Sequence, residues 1–303
     1  KKKVWKSFRS GKCSREEYLK EEKATKKAIR KAKRKFEKKL AKNSKSNPRS
    51  FYAYINRKSK SQSIGPLLVN NVVLTSDKAM AGAFNESFAS VFGPRQGPAS
   101  SPHKIFRGSE SEKLKTVIFP PNDVTEKLKL LKPSSAPGPD KIHPRLLKEC
   151  ANELGIPLSI IFNLSMSTGV LPCDWKKTNV TPIFKKGKRS SPENYRPINI
   201  CSVPAKIMES IIKDAVVEHL LENGLLFPSQ HGFVPRRSCV TNLLSYLEEV
   251  TSALDSGVAF DIIMIDFRRA FDVVPFRHLI RKLEAHGILG YLLQWFGDWT
   301  RGR

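Results

Sequence analysis

The sequence has few cysteines, no long apolar run and few acidic residues, and each shortage argues against a class of protein. No two cysteines have metal-ligand spacing and their number is odd, which argues against a disulfide framework and against a zinc site. No run approaches the ~18 apolar residues of a membrane span, and the N-terminus lacks the apolar core of a signal peptide. We therefore expect an intracellular protein, in the nucleus or cytoplasm and not secreted. The five cysteines are Cys13, Cys150, Cys173, Cys201 and Cys239.

Acidic residues are scarcest in the first 60 residues, which hold 24 Lys or Arg against 5 Asp or Glu. The whole chain has 54 and 28, a formal net charge of +26. Lys and Arg displace the counterions that surround phosphate, so a protein this basic attracts nucleic acid. The charge therefore predicts a nucleic-acid partner. A solvated basic helix, or an arm that binds acidic protein, is the alternative interpretation.

Composition divides the chain into three regions. Residues 1–92 predict a basic, helical N-terminal extension, with a long helix over 12–42 and a small hairpin at Asn70-Asn71. Residues 93–121 are rich in Pro, Gly and Ser, which predicts a flexible linker. Residues 122–303 alternate apolar segments with turn signals, as is typical of a mixed α+β domain.

Three segments of the last region contain candidate binding residues. Lys132–Ile142 has the Pro and Gly content of an extended turn. In the second segment a strand is followed by Lys185 and Lys186 in a basic turn, and Arg196 lies on the returning strand. Such a hairpin can grip a triphosphate, although a basic surface hairpin is the plainer interpretation. The third segment runs from Gln230 to Cys239 and includes His231, for which a structural role is the more common one.

The fourth segment, 260–272, contains the candidate catalytic residue. Ile262–Ile265 is a continuous apolar run, which predicts a strand buried on both faces and ending at Asp266. A carboxylate at such a position is costly unless it is paired or bound to a metal. Polymerases use such carboxylates to hold Mg²⁺ against phosphate oxygens. The alternative is that Asp266 caps a helix.

The four segments, in this order, resemble the reverse transcriptase domain of non-LTR retrotransposons of the jockey, CR1 and LINE type, over about residues 122–303. The resemblance implies an α+β fold with right-hand polymerase fingers and an incomplete palm, preceded by a basic helical region that links to an endonuclease. It implies RNA-directed DNA polymerase activity, a nucleotidyl transfer using two Mg²⁺ ions. The implied partners are an RNA template, a DNA primer and dNTP, with no membrane; the oligomeric state stays open. The matching motifs are 136–140 (Ala-Pro-Gly-Pro-Asp), 194–198 with 202–206, 230–233 (Gln-His-Gly-Phe) and 266–272.

The resemblance also implies residue roles. Asp266 and the backbone carbonyl of Phe267 would hold Mg²⁺, and Phe271 would exclude a ribonucleotide's 2′-OH. The role of Asp272 stays open. The remaining implied contacts are Lys185, Lys186, Arg196, Arg269 and Ala270 to the incoming nucleotide, and Gln230, Gly232 and Phe233 to the template.

The chain departs from the family pattern at several positions. Glycine is usual where Lys141 stands and where Arg236 stands, and Ser-Lys is common where Arg268-Arg269 stand. Neither the family's Gly-Pro-Gln-Gly motif nor its Ala-Asp-Asp motif occurs in the 303 residues. We therefore expect a piece truncated at its C-terminal side, inactive by itself. The alternative is a non-catalytic nucleic-acid-binding remnant of such an element.

Overall fold

A computed structural model describes residues 2–58, 64–91, 105–267 and 270–301. The chain divides into two compact units, Lys1–Gly65 and Pro66–Arg303. None of the helices in the described ranges is both long enough and apolar enough to cross a membrane.

The first unit consists of three helices: α1 (Lys2–Arg9), α2 (Arg15–Lys42) and α3 (Pro48–Lys58). The predicted long helix is confirmed. It begins after Ser14, whose hydroxyl accepts from the Glu17 backbone N–H while the Glu17 carboxylate accepts from the Ser14 N–H. This capping box satisfies two N–H groups that a helix start leaves unpaired. No residue of α2 is buried, and its apolar stripe contacts α3 through Phe36 and Tyr54, with ring centroids 5.4 Å apart.

The second unit begins with a hairpin, β1 (Leu67–Val69) and β2 (Val72–Leu74), followed by α4 (Asp77–Ala89). The hairpin predicted at Asn70-Asn71 is confirmed. Both residues have left-handed backbones, at φ 50° and 63°, as a two-residue turn between antiparallel strands requires. Ser76 caps the start of α4, since its hydroxyl accepts from the Ala79 N–H.

The hairpin and α4 belong to this second unit, which differs from the predicted N-terminal extension over 1–92. Phe84 of α4 packs edge to face on Tyr195, with centroids 4.8 Å apart. The Leu68 N–H donates to the Ser190 carbonyl oxygen at 2.8 Å. Leu67 and Phe84 are buried in a cluster that also contains Tyr195 and Phe184, which lie at least a hundred positions further along the chain.

Most of the remaining core is helical. Phe119, Phe162, Met208, Leu292 and Trp295 are at most 1% exposed and form its centre. The structure thus has the mixed α+β character expected, with helices and two antiparallel hairpins in the described ranges. The elements are α5 (Pro121–Lys129), α6 (Pro144–Glu149), α7 (Ala151–Thr168), β3 (Thr178–Phe184), β4 (Tyr195–Cys201), α8 (Val203–Glu222), α9 (Cys239–Asp255), α10 (Phe276–Ala285) and α11 (Gly290–Trp299).

The predicted flexible linker, 93–121, differs from the structure over 105–121; residues 92–104 lie outside the described ranges. Phe106 is 1% exposed and Phe119 is fully buried. The Phe106 N–H donates to the Ala285 carbonyl oxygen at 2.9 Å, and the Leu114 N–H donates to that of Gly287 at 3.0 Å. The burial of two phenylalanines outweighs the Ser- and Pro-rich composition of the segment.

Candidate nucleotide and template site

The first two sequence segments contact each other directly. Asp140 accepts a hydrogen bond from the Ser202 hydroxyl at 2.7 Å. Gly138 lies so close to the end of β4 that a Cβ there would be 2.6 Å from the Ser202 backbone nitrogen. The glycine therefore permits a close backbone approach, and Asp140 fixes the start of α8 against the turn.

Lys141 adopts a left-handed backbone, at φ 60°. Arg236 does so as well, at φ 62°. Both stand where the resembled family usually has glycine, the residue that adopts this conformation without strain. Lys141 and Arg236 thus hold a backbone conformation that favours glycine, although each has a long side chain.

The strand predicted directly before Lys185 is confirmed as β3, which pairs in antiparallel register with β4. Tyr195 and Phe184 are opposite each other on the face that packs toward α4. Arg196 is opposite Ile183, on the other face, and is exposed. Lys185 and Lys186 are exposed in the turn that follows β3. The hairpin therefore presents these three cations, together with Lys188 and Arg189, to solvent.

Arg189, a further cation of this hairpin, was not predicted from the sequence. The Arg189 guanidinium lies over the Phe184 ring, 4.4 Å from its centroid. The Arg189 carbonyl oxygen also accepts from the Tyr195 hydroxyl at 2.8 Å. Arg189 thus stabilises the loop between β3 and β4, and only the cation–π potential of an Arg near an aromatic strand residue could have indicated it.

The third segment forms a loop before α9. Gln230 donates from its side chain to the Gly232 carbonyl oxygen at 3.2 Å. Arg237, which sequence reasoning assigned no role, donates to the carbonyl oxygens of Gln230, at 2.7 Å, and Pro228. His231 contacts the Thr241 hydroxyl at 2.9 Å, consistent with a structural role. Hydrogen bonds within the loop thus fix its conformation, while Phe233 remains 87% exposed.

The buried strand predicted over Ile262–Ile265 is wrong. Residues 261–267 form neither helix nor strand, and the side chains of Ile263, Met264 and Ile265 are 83%, 84% and 77% exposed. A strand buried on both faces needs neighbours on each side. In the described ranges both sheets are separate two-stranded hairpins, and neither pairs with this segment. Asp266 and Phe267 are therefore exposed rather than at the tip of a buried strand.

The third and fourth segments are nevertheless adjacent. Phe233 contacts Phe271 edge to face, with ring centroids 5.9 Å apart. Ala270 is exposed in the same turn as Phe271, and Arg269 lies outside the described residues. Within the described ranges, no hydrogen bond, ion pair or ring contact connects Lys185, Lys186 or Arg196 to this pair. The structure therefore brings the segments together in two pairs, the first with the second and the third with the fourth.

The donors present do not complete a magnesium site. Asp266 offers one carboxylate and Phe267 a carbonyl, whereas no group of three Asp, Glu, His or Cys side chains stands together in the described part of the chain. Mg²⁺ held between protein and phosphate needs near-octahedral oxygen ligation, usually with more than one carboxylate in a two-metal site.

Comparisons with known proteins support the resemblance to reverse transcriptases. Residues 183–302 match the family model described as reverse transcriptase (RNA-dependent DNA polymerase). The chain is similar to reverse transcriptases. It is 29% identical over 163 residues, 54% of this chain, to the "Probable RNA-directed DNA polymerase from transposon BS" of Drosophila melanogaster. Over 157 residues, 51% of the chain, it is 28% identical to the "Retrovirus-related Pol polyprotein from type-1 retrotransposable element R2" of Popillia japonica.

These alignments confirm the resemblance to reverse transcriptases of non-LTR retrotransposons. The jockey mobile element of Drosophila funebris supplies a further such relative, 24% identical over 164 residues. The aligned part covers 18% of the transposon BS protein and 20% of the R2 protein. The chain thus spans about a fifth of these reverse transcriptases. The match beginning at residue 183 includes β4, the Phe233 loop and Asp266.

Proposed function

We propose that this chain supplies the fingers and the first part of the palm of an RNA-directed DNA polymerase of the non-LTR type. Its hairpin of β3 and β4 would bind the triphosphate of a dNTP through Lys185, Lys186 and Arg196, since Lys acts as a point charge and Arg as a bidentate fork on phosphate. The partners would be an RNA template and a DNA primer.

The contact between Phe233 and Phe271 is the observation that carries the proposal. In this contact Phe233, which is proposed to bind the template together with Gln230 and Gly232, touches Phe271 of the turn that would select the deoxyribose. Phe271, being 79% exposed, is open to a sugar ring, and its bulk would oppose a 2′-OH. Asp266 and the Phe267 carbonyl precede that turn and would contribute to Mg²⁺ binding once further carboxylates are supplied.

Cross-linking of a photoreactive dNTP to the full chain, with Mg²⁺ and a primed RNA template, tests the proposal. Arg196→Gln removes the bidentate phosphate contact, so we expect cross-linking to fall several-fold. Arg145→Gln is the matched control, because Arg145 is also an exposed arginine and lies on α6. Equal cross-linking by Arg196→Gln and the control would overturn the assignment. Because no group of three metal-ligating side chains stands together in the described residues, we expect no primer extension in the same mixture.

A further inference from the structure

The C-terminal two thirds of α2 is almost uniformly cationic. From Lys23 to Lys42, eleven residues are Lys or Arg and one, Glu37, is acidic. All eleven cations are exposed. Within the described residues, one of them forms an ion pair, Lys26 with Glu22 at 3.5 Å. The Glu37 carboxylate accepts from the Tyr54 hydroxyl at 2.7 Å, so it is engaged within its own unit. The positive charge of this segment is therefore directed at solvent.

The cations surround most of the helix. At about 100° per residue they cover an arc of about 240°. Lys26 and Lys33 lie at one edge of this arc, and Lys35 and Lys39 lie at the other, about 210° away along the arc. The remaining arc is the apolar stripe, where Phe36 contacts α3. A flat anionic surface, such as a membrane or one face of an acidic protein, can meet only about half of a helix's circumference. A partner that engages both edges must carry negative charge on two sides.

A nucleic-acid groove has that geometry, because a phosphate backbone runs along each wall. The major groove of B-form DNA is about 12 Å wide, and an α-helix with its side chains is about 10–12 Å across. The major groove of A-form RNA is deep and too narrow for such a fit. Residues 23–42 span about 30 Å, enough to reach phosphates on both walls.

We propose that α2 binds in the major groove of double-stranded DNA, with its two cationic edges on opposite phosphate walls. This goes beyond the proposed polymerase function, because it rests on the first unit alone. The binding is independent of base sequence. Residues 23–42 contain no Asn or Gln, and nine of the eleven cations are Lys rather than the guanine-reading Arg.

Binding also stabilises the helix. Lys27 and Lys31, and Lys31 and Lys35, are like charges at i,i+4, and each such pair costs a helix about 0.2–0.5 kcal/mol. Phosphates on both sides neutralise this repulsion. We therefore expect the helical content of the chain to rise when duplex DNA is added.

The experiment is a salt titration of the full chain's affinity for a fluorescent 20-base-pair DNA duplex. Two variants remove the two edges separately: Lys26→Gln with Lys33→Gln, and Lys35→Gln with Lys39→Gln. Each pair should weaken binding several-fold and lower the slope of log K against log salt by about 2. The control, Lys78→Gln with Arg277→Gln, removes two exposed charges outside α2 and should leave both quantities unchanged.

The outcomes separate the possible partners. If only one edge pair weakens binding, the helix lies on a flat surface and the groove assignment is wrong. If neither pair does, α2 is not the DNA-binding element. Tighter binding of an RNA duplex or of phosphatidylserine vesicles than of DNA overturns the proposal too. Circular dichroism verifies that the variants remain folded. Since Arg196→Gln leaves α2 intact, failure of the polymerase assignment and failure of this one are distinguishable.

Discussion

Phe233 and Phe271 meet edge to face across two loops, with ring centroids 5.9 Å apart and ring planes at 83°. Both side chains are more than three quarters exposed. Exposed aromatic rings that contact each other and little else are available to stack on a base or a sugar. The pair therefore links the proposed template loop to the proposed nucleotide turn.

A double-mutant cycle measures that link. Phe233→Ala and Phe271→Ala should each lower the free energy of unfolding in urea, and the pair should show a coupling of about 0.5 kcal/mol, the low end for aromatic pairs because both rings are exposed. Phe227→Ala, at another exposed phenylalanine (73%), is the control and should show no coupling to Phe271. Additive effects of the first two substitutions would contradict the contact.

Glycine in place of Lys141 or Arg236, whose backbones are left-handed, should stabilise the protein. Lys141→Gly and Arg236→Gly each remove a strain of about 1–2 kcal/mol, partly offset by the greater freedom of glycine in the unfolded chain, so a net gain of up to about 1 kcal/mol is expected. Thermal melting or urea unfolding measures it. Lys132→Gly, at a loop lysine without a positive φ, should destabilise instead. A loss of stability in Lys141→Gly would show that the lysine side chain stabilises the fold by more than the left-handed backbone destabilises it.

Backbone atoms of Cys201 and Ser202 lie so close to Gly138 that we expect this position to tolerate no side chain. In Gly138→Ala the new Cβ would be 2.6 Å from the Ser202 nitrogen and 2.7 Å from the Cys201 carbonyl carbon, and these are backbone atoms that cannot rotate away. A loss of about 1–3 kcal/mol in unfolding free energy is expected. Gly82→Ala, inside α4 with open space around it, should instead gain about 0.5–1 kcal/mol. Equal effects of the two substitutions would contradict the packing described at Asp140.

The sequence correctly predicted the elements whose formation depends on residues that are adjacent in the chain. Asn70-Asn71 predicted the turn of the first hairpin, because a turn depends mainly on the residues that form it. The basic turn at Lys185 was also predicted from adjacent residues, and only ten residues separate its strand from the antiparallel partner.

The sequence misled where burial depends on distant residues. Ile262–Ile265 has the composition of a buried strand, but composition does not say whether neighbouring strands exist to cover it. Phe106 and Phe119 lie in a segment with the composition of a linker, yet Ala285 and α7 provide hydrogen-bonding and packing partners far along the chain. The contact of Phe233 with Phe271 had no signal in the spacing of those two residues.

Asp298 on α11 should make stability depend on pH. Burial raises the pKa of this carboxyl, but hydrogen bonds from Lys176, at 2.9 Å, and from the Leu171 N–H, at 2.8 Å, outweigh that effect and hold the pKa below its usual range. A depressed carboxyl pKa stabilises the fold above the unfolded value of about 3.9, and the contribution disappears as pH falls through the lower folded value.

Asp298→Asn should therefore cost about 1–2 kcal/mol at neutral pH and little in acid. Urea unfolding of both proteins from pH 7 to pH 2.5 measures the difference. Asp77→Asn, at an exposed carboxylate in the first turn of α4, serves as the control, with a small effect. If the free energies of unfolding of Asp298→Asn and the parent chain differed by the same amount at every pH in this range, the charge-based account would be contradicted.

The most direct test of the proposed polymerase site is cross-link mapping on one complex. The full chain is mixed with a primed RNA that carries 4-thiouridine at the templating position and with a photoreactive dNTP, and the labelled peptides are identified by mass spectrometry. We expect the template label in the loop of Gln230 and Phe233, and the dNTP label in the hairpin of Lys185, Lys186 and Arg196. Labels confined to α2, or scattered over both units, would contradict the account.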